Sequence, residues 1–141
     1  MPDTGKNKPK TLGDILIHEE SPMFCRAKGT LKNGEATAVT LAVGMPVIAD
    51  GTNFELAMST EEGSVIGILL DGGGDVIALS STSTKLYSFL VRGPAVINYD
   101  AIPQVDQADV AWDTDAQVKA ALLALHILTV TEPAVSSYQT N

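Results

Sequence analysis

The clearest alternation of apolar and polar positions runs over residues 86–99, LYSFLVRGPAVINY. One set of alternate positions is apolar, aromatic or glycine throughout: Tyr87, Phe89, Val91, Gly93, Ala95, Ile97 and Tyr99. A period of two places these side chains on one face of a β-strand, so the segment is predicted to be a half-buried ribbon. Because proline cannot donate to a strand ladder, Gly93-Pro94 predicts a bend between two shorter strands.

Other segments also favour strands. Residues 65–70, VIGILL, are rich in β-branched side chains and predict a strand buried on both faces, ended by the glycines at 72–74. A short strand is predicted at residues 76–79. Asn33-Gly34 and Asp50-Gly51 are turn dipeptides that tolerate positive φ, so they predict two hairpins. The first would join residues 26–31 to 35–41, although 35–41 could instead be a linker, and the second would join 43–49 to 52–58.

One helix is predicted near the C-terminal end of the sequence. Thr114-Asp115-Ala116-Gln117 matches a capping box, in which Thr114 and Gln117 satisfy each other's backbone amides. A stripe at helical spacing then follows over residues 115–126: Val118, Ala121, Leu122 and Leu125. Residues 127–130 read as a closing strand. The predicted fold class is therefore mainly β, a small antiparallel body with one short C-terminal helix and an extended N-terminal arm.

The leading segment has a different character from the body. Residues 1–11 are polar and lysine-rich, which predicts disorder in the absence of a partner. Residues 12–24 contain apolar side chains without a strong period and are interpreted as an extended arm. As an alternative, Leu12, Ile15 and Leu16 would form one face of a short helix begun by Asp14. The predicted organisation is an arm over residues 1–34 and a single β-rich domain over 35–141.

The charge is low in density and unevenly placed. The formal net charge is −8, and 18% of residues are charged against about 25% for an ordinary globular domain. Residues 1–32 carry six cations and four carboxylates, a balance of +2, so the remainder carries −10. This balance argues against a nucleic-acid partner and is typical of an arm that docks on another surface, although a solvated tail fits it as well. With 45% hydrophobic residues, the chain either buries apolar area in interfaces or is an Ala- and Val-rich monomer.

Targeting signals and crosslinks are not expected. The single cysteine, Cys25, has no intrachain partner for a disulfide. No apolar run has the length of a membrane span, and the first apolar stretch is cut by Asp14. We therefore expect a soluble, unexported protein.

The search for an active site finds no coherent constellation. His18 and His126 have no companion at a metal-ligand spacing, and Cys25 has Arg26 beside it but no evident base. Residues 71–75, DGGGD, lack the lysine or helix start of a phosphate cradle and are best interpreted as a tight turn. The carboxylates before the helix form a loop cluster: Asp106, Asp109, Asp113 and Asp115. No catalytic, cofactor-binding or metal-binding residue is predicted, and the sole tryptophan, Trp112, is either a core plug or an exposed anchor.

The order of these features resembles that of the lambda-like family of bacteriophage head decoration proteins. The segments that carry the resemblance span most of the chain: GDILIHEESPMFCRAKGTLKNG, VGMPVIADG, VIGILLDGG, FLVRGPAV and ALLALHILTV. The resemblance implies a β-tulip-like body that assembles as a homotrimer on the outer surface of the expanded head. It also implies assembly in the host cytoplasm and an arm that pairs with the major capsid protein. It implies no enzymatic activity and no cofactor, nucleic-acid or membrane partner.

Residue roles follow from the resemblance. The apolar side chains of the arm are its candidate capsid anchors: Leu12, Ile15, Ile17, Met23 and Phe24. Trp112 is the candidate residue of a trimer interface. Two other classes stay open, namely another virion module such as a tail or baseplate component, and a small ligand-binding β-domain or enzyme that uses Asp71, Asp75 or the acidic loop.

Overall fold

Strands dominate the structure, a computed structural model that describes residues 12–35, 37–71, 77–80, 82–106, 108 and 110–130. The strands in these ranges are β1 (Leu16–Glu19), β2 (Arg26–Lys32), β3 (Val39–Leu41), β4 (Pro46–Asp50), β5 (Asn53–Leu56), β6 (Gly67–Leu69), β7 (Ile77–Leu79), β8 (Thr84–Leu90), β9 (Ala95–Asn98) and β10 (Ile127–Val130). The helices are α1 (Leu12–Ile15), α2 (Pro22–Cys25) and α3 (Asp115–Ala124), with 3-10 turns at Glu62–Ser64 and Tyr99–Ala101. The predicted mainly β fold with a short C-terminal helix is confirmed.

A closed barrel forms the centre of the molecule, with strand order β2-β5-β4-β6-β8. Strands β2 and β8 run antiparallel over the full length of both, from Arg26 opposite Leu90 to Lys32 opposite Thr84. A parallel contact between β2 and β5 closes the barrel. Gly29 lies beneath the Phe54 ring there, and a methyl group at Gly29 would be 2.7 Å from Phe54 Cδ2. The Phe54 ring in turn stacks on Phe89 at 4.1 Å between centroids.

In the described part of the chain, two smaller sheets accompany the barrel. One has the order β1-β9-β10, with β1 antiparallel and β10 parallel to the central strand β9. The other pairs β3 with β7. Among the described residues, the buried apolar side chains form two clusters, one holding Ile15, Ile97, Leu122 and Ile127 and the other holding Leu31, Leu41 and Phe89.

The ribbon predicted at residues 86–99 is confirmed as two strands, β8 and β9, with a bend at a cis Gly93-Pro94 bond. Phe89 and Ile97 are fully buried, as the alternation predicts. Leu90 lies on the opposite face and is buried as well. The reason is that β8 has a core cluster on each side: Phe89 belongs to one cluster and Leu90 to the other.

Of the two predicted hairpins, one is confirmed and one is wrong. Strands β4 and β5 pair antiparallel around Gly51, whose φ is +62°. At Asn33-Gly34 no hairpin forms, because β2 pairs with β5 and β8 while β3 pairs with β7. Asn33 is instead buried, and its side-chain amide donates to the carbonyl oxygens of Thr37, Leu79 and Ser80 at 3.0–3.1 Å. The dipeptide therefore anchors a crossover between sheets.

The helix stripe is confirmed, since Val118 and Leu122 are fully buried. Its predicted capping box does not form, because Thr114 makes no side-chain cap bond. The buried carboxylate of Glu62 instead satisfies backbone amides at the start of α3. Its Oε2 accepts hydrogen bonds from the amides of Asp113 at 2.7 Å and Thr114 at 3.2 Å. An anion near a helix N-terminus also stabilises the helix dipole.

Candidate interaction surface

The turn at Pro22–Cys25 presents two adjacent apolar side chains to solvent. Met23 is 95% exposed and Phe24 is 56% exposed. Proline at the start of α2 suits a helical turn, and the Ser21 carbonyl accepts hydrogen bonds from the amides of Phe24 and Cys25 at 3.1 and 2.7 Å. Met23 and Phe24 together are called the apolar turn below.

Contacts with the bend between β8 and β9 hold the apolar turn in place. The Arg92 guanidinium lies 5.0 Å from the centre of the Phe24 ring and donates to the Phe24 carbonyl. Pro94 O accepts from Glu20 N at 2.9 Å on one side of the turn. On the other side, the amides of Val91 and Arg92 donate to Cys25 O at 2.9 and 3.3 Å. The apolar turn is thus preorganised, which lowers the entropy that a partner must remove on binding.

An ion pair closes the base of this region. Arg26 donates to Glu19 from two guanidinium nitrogens, and the Glu19 side chain is only 7% exposed. The hydrogen bond to Glu19 raises the pKa of Arg26 above its ordinary value. The pair joins the end of β1 to the start of β2, so the turn between the two strands has a rigid base.

The five predicted arm anchors do not share one environment. Ile15 is fully buried in the core, and Leu12 is partly buried against that core. Ile17 is 45% exposed on β1, while Met23 and Phe24 lie on the apolar turn. Ile15 as a capsid anchor is therefore wrong, because removing it from the core would expose an apolar side chain to water.

The extended arm also needs correction over its second half. Leu12–Ile15 is a helical turn, the alternative that the sequence left open, and β1 pairs with β9. The boundary predicted at residue 34 follows β2, which is a barrel strand, so residues 16–32 belong to the body. The predicted disorder of residues 1–11 lies outside the described residues.

Trp112 is a core residue rather than an exposed anchor. Its side chain is 7% exposed and packs in the same cluster as Val118 and Leu122. The indole Nε1 donates to the Pro103 carbonyl at 3.3 Å, which satisfies its one polar atom. Because both the ring and its polar atom have partners within the chain, the assignment of Trp112 to a trimer interface is wrong.

The acidic residues singled out from the sequence have structural partners. Asp106 is buried, and its carboxylate accepts backbone hydrogen bonds from Ser59, Ala108 and Val110 at 2.8–3.0 Å. Asp71 Oδ2 accepts from Ser88 N at 2.6 Å, and Asp115 Oδ1 accepts from the Tyr99 hydroxyl at 2.7 Å. These carboxylates hold loops and the start of α3. Asp75 and Asp109 lie outside the described residues.

The remaining candidates for chemistry are dispersed. Cys25 is fully buried, with its Sγ 3.7 Å from Pro94 O, whereas His18 is exposed and contacts Glu20 at 3.1 Å. His126 is exposed at the junction of α3 and β10, with a φ of +66°. Within the described ranges, no group of three His, Cys, Asp or Glu side chains is placed to hold a metal ion. In that same part of the chain, no helix is long and apolar enough to cross a membrane.

Exposed apolar side chains continue beyond the apolar turn. Leu86 on β8, Val110, Leu123 on α3 and Leu128 on β10 are 48–60% exposed. Sequence reasoning did not single out Leu128 or Arg92. The run ILTV at residues 127–130, which holds no charge, proline or glycine, was the available signal for an unprotected strand.

Comparison with known proteins found no relative of this chain. No family model, no curated protein and no solved structure matches it.

Proposed function

We propose that this chain is a structural virion protein that binds the outer surface of an expanded phage head as a trimer and stabilises the capsid against internal DNA pressure. The proposal begins from the order of sequence segments that resembles the decoration proteins. It implies a protein–protein role, with the major capsid protein as partner and the outer surface of the virion as location.

The preorganised apolar turn is the observation that carries the proposal. Met23 is 95% exposed and the adjacent Phe24 is 56% exposed, so the turn presents two neighbouring apolar side chains to water. Contiguous exposed apolar surface is a mark of protein–protein interaction sites. Met and aromatic residues are enriched at protein interfaces. A rigid turn that presents them is suited to insertion into an apolar pocket of another protein.

The N-terminal segment supports the same role. Residues 1–11 carry Lys6, Lys8 and Lys10 and join the body at α1. In the proposed complex this segment pairs with an edge strand of the capsid protein, so that main-chain hydrogen bonds provide affinity and the apolar turn provides specificity. Three such contacts in one trimer act multivalently, so each contact can be weak while the trimer stays bound.

Binding only to the assembled, expanded shell stabilises that shell by mass action. A trimer that contacts several capsid subunits would therefore resist the separation of those subunits under internal pressure. The acidic remainder of the chain, at −10 against +2 for residues 1–32, would limit nonspecific adhesion to the packaged nucleic acid.

The test measures binding to heads of the encoding phage prepared without this protein. Met23→Ser with Phe24→Ser should weaken binding at least about tenfold, because buried apolar anchors contribute more than 1 kcal/mol each. Leu86→Ser is the matched control, since Leu86 is 60% exposed but lies on the barrel strand β8. Equal binding by the double variant and the control would contradict the proposal.

A truncation tests the arm separately. Deletion of residues 1–11 should abolish or strongly weaken head binding. The body should stay folded, because the truncation leaves Ile15, β1 and Cys25 in place. Deletion of residues 1–24 is not a suitable test, since it removes a strand and a core side chain. Retained head binding by the shorter truncation would show that the arm is not the capsid contact.

A further inference from the structure

Asn33 and Gly34 are a chemically labile pair at a junction between two sheets. In an Asn-Gly sequence the backbone nitrogen of the glycine can attack the side-chain carbonyl carbon of the asparagine. Glycine favours this attack because it has no Cβ to hinder the approach and reaches many backbone conformations. The attack ends in deamidation, so the pair has a chemistry beyond its structural role.

The folded structure protects Asn33 from this chemistry. The residue is only 2% exposed, and its Nδ2 donates to the carbonyl oxygens of Thr37, Leu79 and Ser80 at 3.0–3.1 Å. Its Oδ1 accepts from Glu35 N at 2.9 Å. Nδ2 is the atom that must leave as ammonia, so all three of its hydrogen bonds have to break before deamidation can finish. The reaction therefore needs an open state.

The groups that hold Nδ2 belong to the small sheet of β3 and β7. Leu79 ends β7, Ser80 follows it, and Thr37 precedes β3. In the described part of the chain this sheet has two strands that pair over three residues each. A sheet of that size is marginally stable by itself and depends on packing. Leu41 and Leu79 provide the packing, since both are buried in the cluster that holds Phe89 of the barrel.

We propose that Asn33 is a deamidation site gated by local opening of the β3–β7 sheet, and that deamidation prevents this sheet from closing again. In the open state the sheet separates from Asn33 while the barrel β2-β5-β4-β6-β8 stays folded. Such local openings are cheaper than global unfolding when few apolar contacts have to break. The inference is independent of head binding.

The chemistry needs only water and mild base. Gly34 N loses its proton to the solvent base and attacks Asn33 Cγ, which forms a new N–Cγ bond and closes a succinimide ring. The Cγ–Nδ2 bond breaks, and Nδ2 takes up a proton and leaves as ammonia. Water then adds to either ring carbonyl and cleaves the bond from that carbon to the ring nitrogen. The product is aspartate or isoaspartate at position 33.

Neither product fits the closed structure. A carboxylate has no N–H to donate, so it would face the carbonyl oxygens of Thr37, Leu79 and Ser80 with its negative charge. Isoaspartate also lengthens the main chain by one methylene group between β2 and β3. Buried oxygen atoms that lose their donor destabilise the closed state. Conversion is therefore a one-way change that favours the open sheet.

The rate of deamidation in the wild-type full chain tests the gate. The chain is incubated at mildly alkaline pH in a urea series; mass spectrometry detects a gain of about 1 Da, and peptide mapping locates it. Asn53 and Asn98 are internal controls, because the bulky Phe54 and Tyr99 that follow them hinder ring closure. Conversion at Asn33 should be at least about tenfold slower in the folded chain than in the unfolded chain.

The urea dependence separates local from global opening. Below the unfolding transition the rate at Asn33 should be nearly independent of urea, because local opening exposes little surface. A rate that rises as steeply with urea as global unfolding does would overturn the local gate. Equal rates in the folded and unfolded chains would overturn the protection itself.

Two leucine variants probe the same gate. Leu79→Ala weakens the packing of β7, whereas Leu122→Ala removes the same side chain from α3 in the other buried cluster. Leu79→Ala should accelerate deamidation of the folded chain at least about tenfold, while Leu122→Ala should change it by less than about threefold. Equal acceleration by the two variants would refute local opening. The urea series on the wild-type chain decides the question if either variant does not fold.

The effect of the product is tested with Asn33→Asp, and Asn33→Ala is its control. Both variants lose the hydrogen bonds of Nδ2, but only the aspartate places a charge among the carbonyl oxygens. The unfolding midpoint in urea should therefore be lower for Asn33→Asp. Hydrogen exchange of the amides in β3 and β7 should be at least about tenfold faster than in the wild-type chain, with β4 and β5 unchanged. Equal midpoints for the two variants, or unchanged exchange in β7, would contradict the proposal.

Discussion

Replacement of Gly93 by alanine is the sharpest test of how the sheet β1-β9-β10 is attached to α3. A Cβ at this position would overlap the carbonyl oxygen of His126 and lie 2.6 Å from its carbonyl carbon and 2.7 Å from Ala95 N. All three atoms are backbone, so no rotamer change relieves the overlap. The chain at residues 93–95 would have to move away from the junction between α3 and β10.

The expected cost follows from what that movement breaks. Two backbone hydrogen bonds cross the junction, from Gly93 N to Leu125 O at 2.8 Å and from Ala95 N to His126 O at 3.3 Å. Each is worth about 1 kcal/mol, and overpacking adds about 1–3 kcal/mol. We expect Gly93→Ala to lower the free energy of unfolding by about 3–5 kcal/mol, a large part of the roughly 5–15 kcal/mol of a typical domain.

Gly63→Ala is the matched control. The nearest atom to a Cβ at Gly63 is Gln117 Oε1 at 4.0 Å, so the methyl group has space. Its effect should be within about 1 kcal/mol and toward stabilisation, because alanine restricts the unfolded chain. Urea unfolding followed by the fluorescence of the buried Trp112 and by far-ultraviolet circular dichroism measures both variants. The reasoning fails if the two variants have the same unfolding midpoint.

Three further predictions concern buried polar groups. Asn33→Ala should lower the free energy of unfolding by about 2–4 kcal/mol in urea titrations, because its amide serves three carbonyl oxygens and its Oδ1 accepts from Glu35 N; a loss below 1 kcal/mol would contradict this role. Tyr87→Phe should be neutral or stabilising by up to about 1 kcal/mol, since the buried Tyr87 hydroxyl has no hydrogen-bond partner in the described structure, and a clear loss of stability would refute it. Burial and the nearby Asp115 raise the pKa of Tyr99 above its ordinary value of 10.0, so the folded state holds this proton more tightly than the unfolded state does. Stability should therefore decline as pH rises above about 10, and Tyr99→Phe should flatten that decline in thermal melts between about pH 9 and 11; an unchanged slope would count against it.

The sequence was sufficient to predict those elements whose structure depends on residues close together in the chain. The alternation over residues 86–99 predicted β8 and β9, because one face of each strand is buried. Asp50-Gly51 predicted the β4–β5 hairpin, since Gly51 adopts the positive φ that the turn requires. The stripe of Val118 and Leu122 predicted the buried face of α3 for the same reason.

The candidate site was predicted only in part. Of the predicted arm anchors, Met23 and Phe24 are exposed to solvent, whereas Ile15 was named with them although it is buried. Residues 12–24 have no strong period, so apolarity alone does not separate a core side chain from an exposed one. The environment of each side chain depends on the distant segment that lies against it. Ile15 lies near β9 in the core, whereas the turn that carries Phe24 lies against the bend at Arg92.

What the sequence by itself determined is most strands of the body, the helix α3 and one hairpin, each coded by neighbours within a few residues, whereas β1 was interpreted as part of an extended arm. Only the tertiary structure decided which strands pair, that Asn33 anchors a crossover, that Glu62 caps α3, and that β1 and β10 are left at the edges of one sheet. Those outcomes depend on contacts between residues far apart in the chain, such as Asn33 with Leu79 and Glu62 with Asp113, and no local pattern records them.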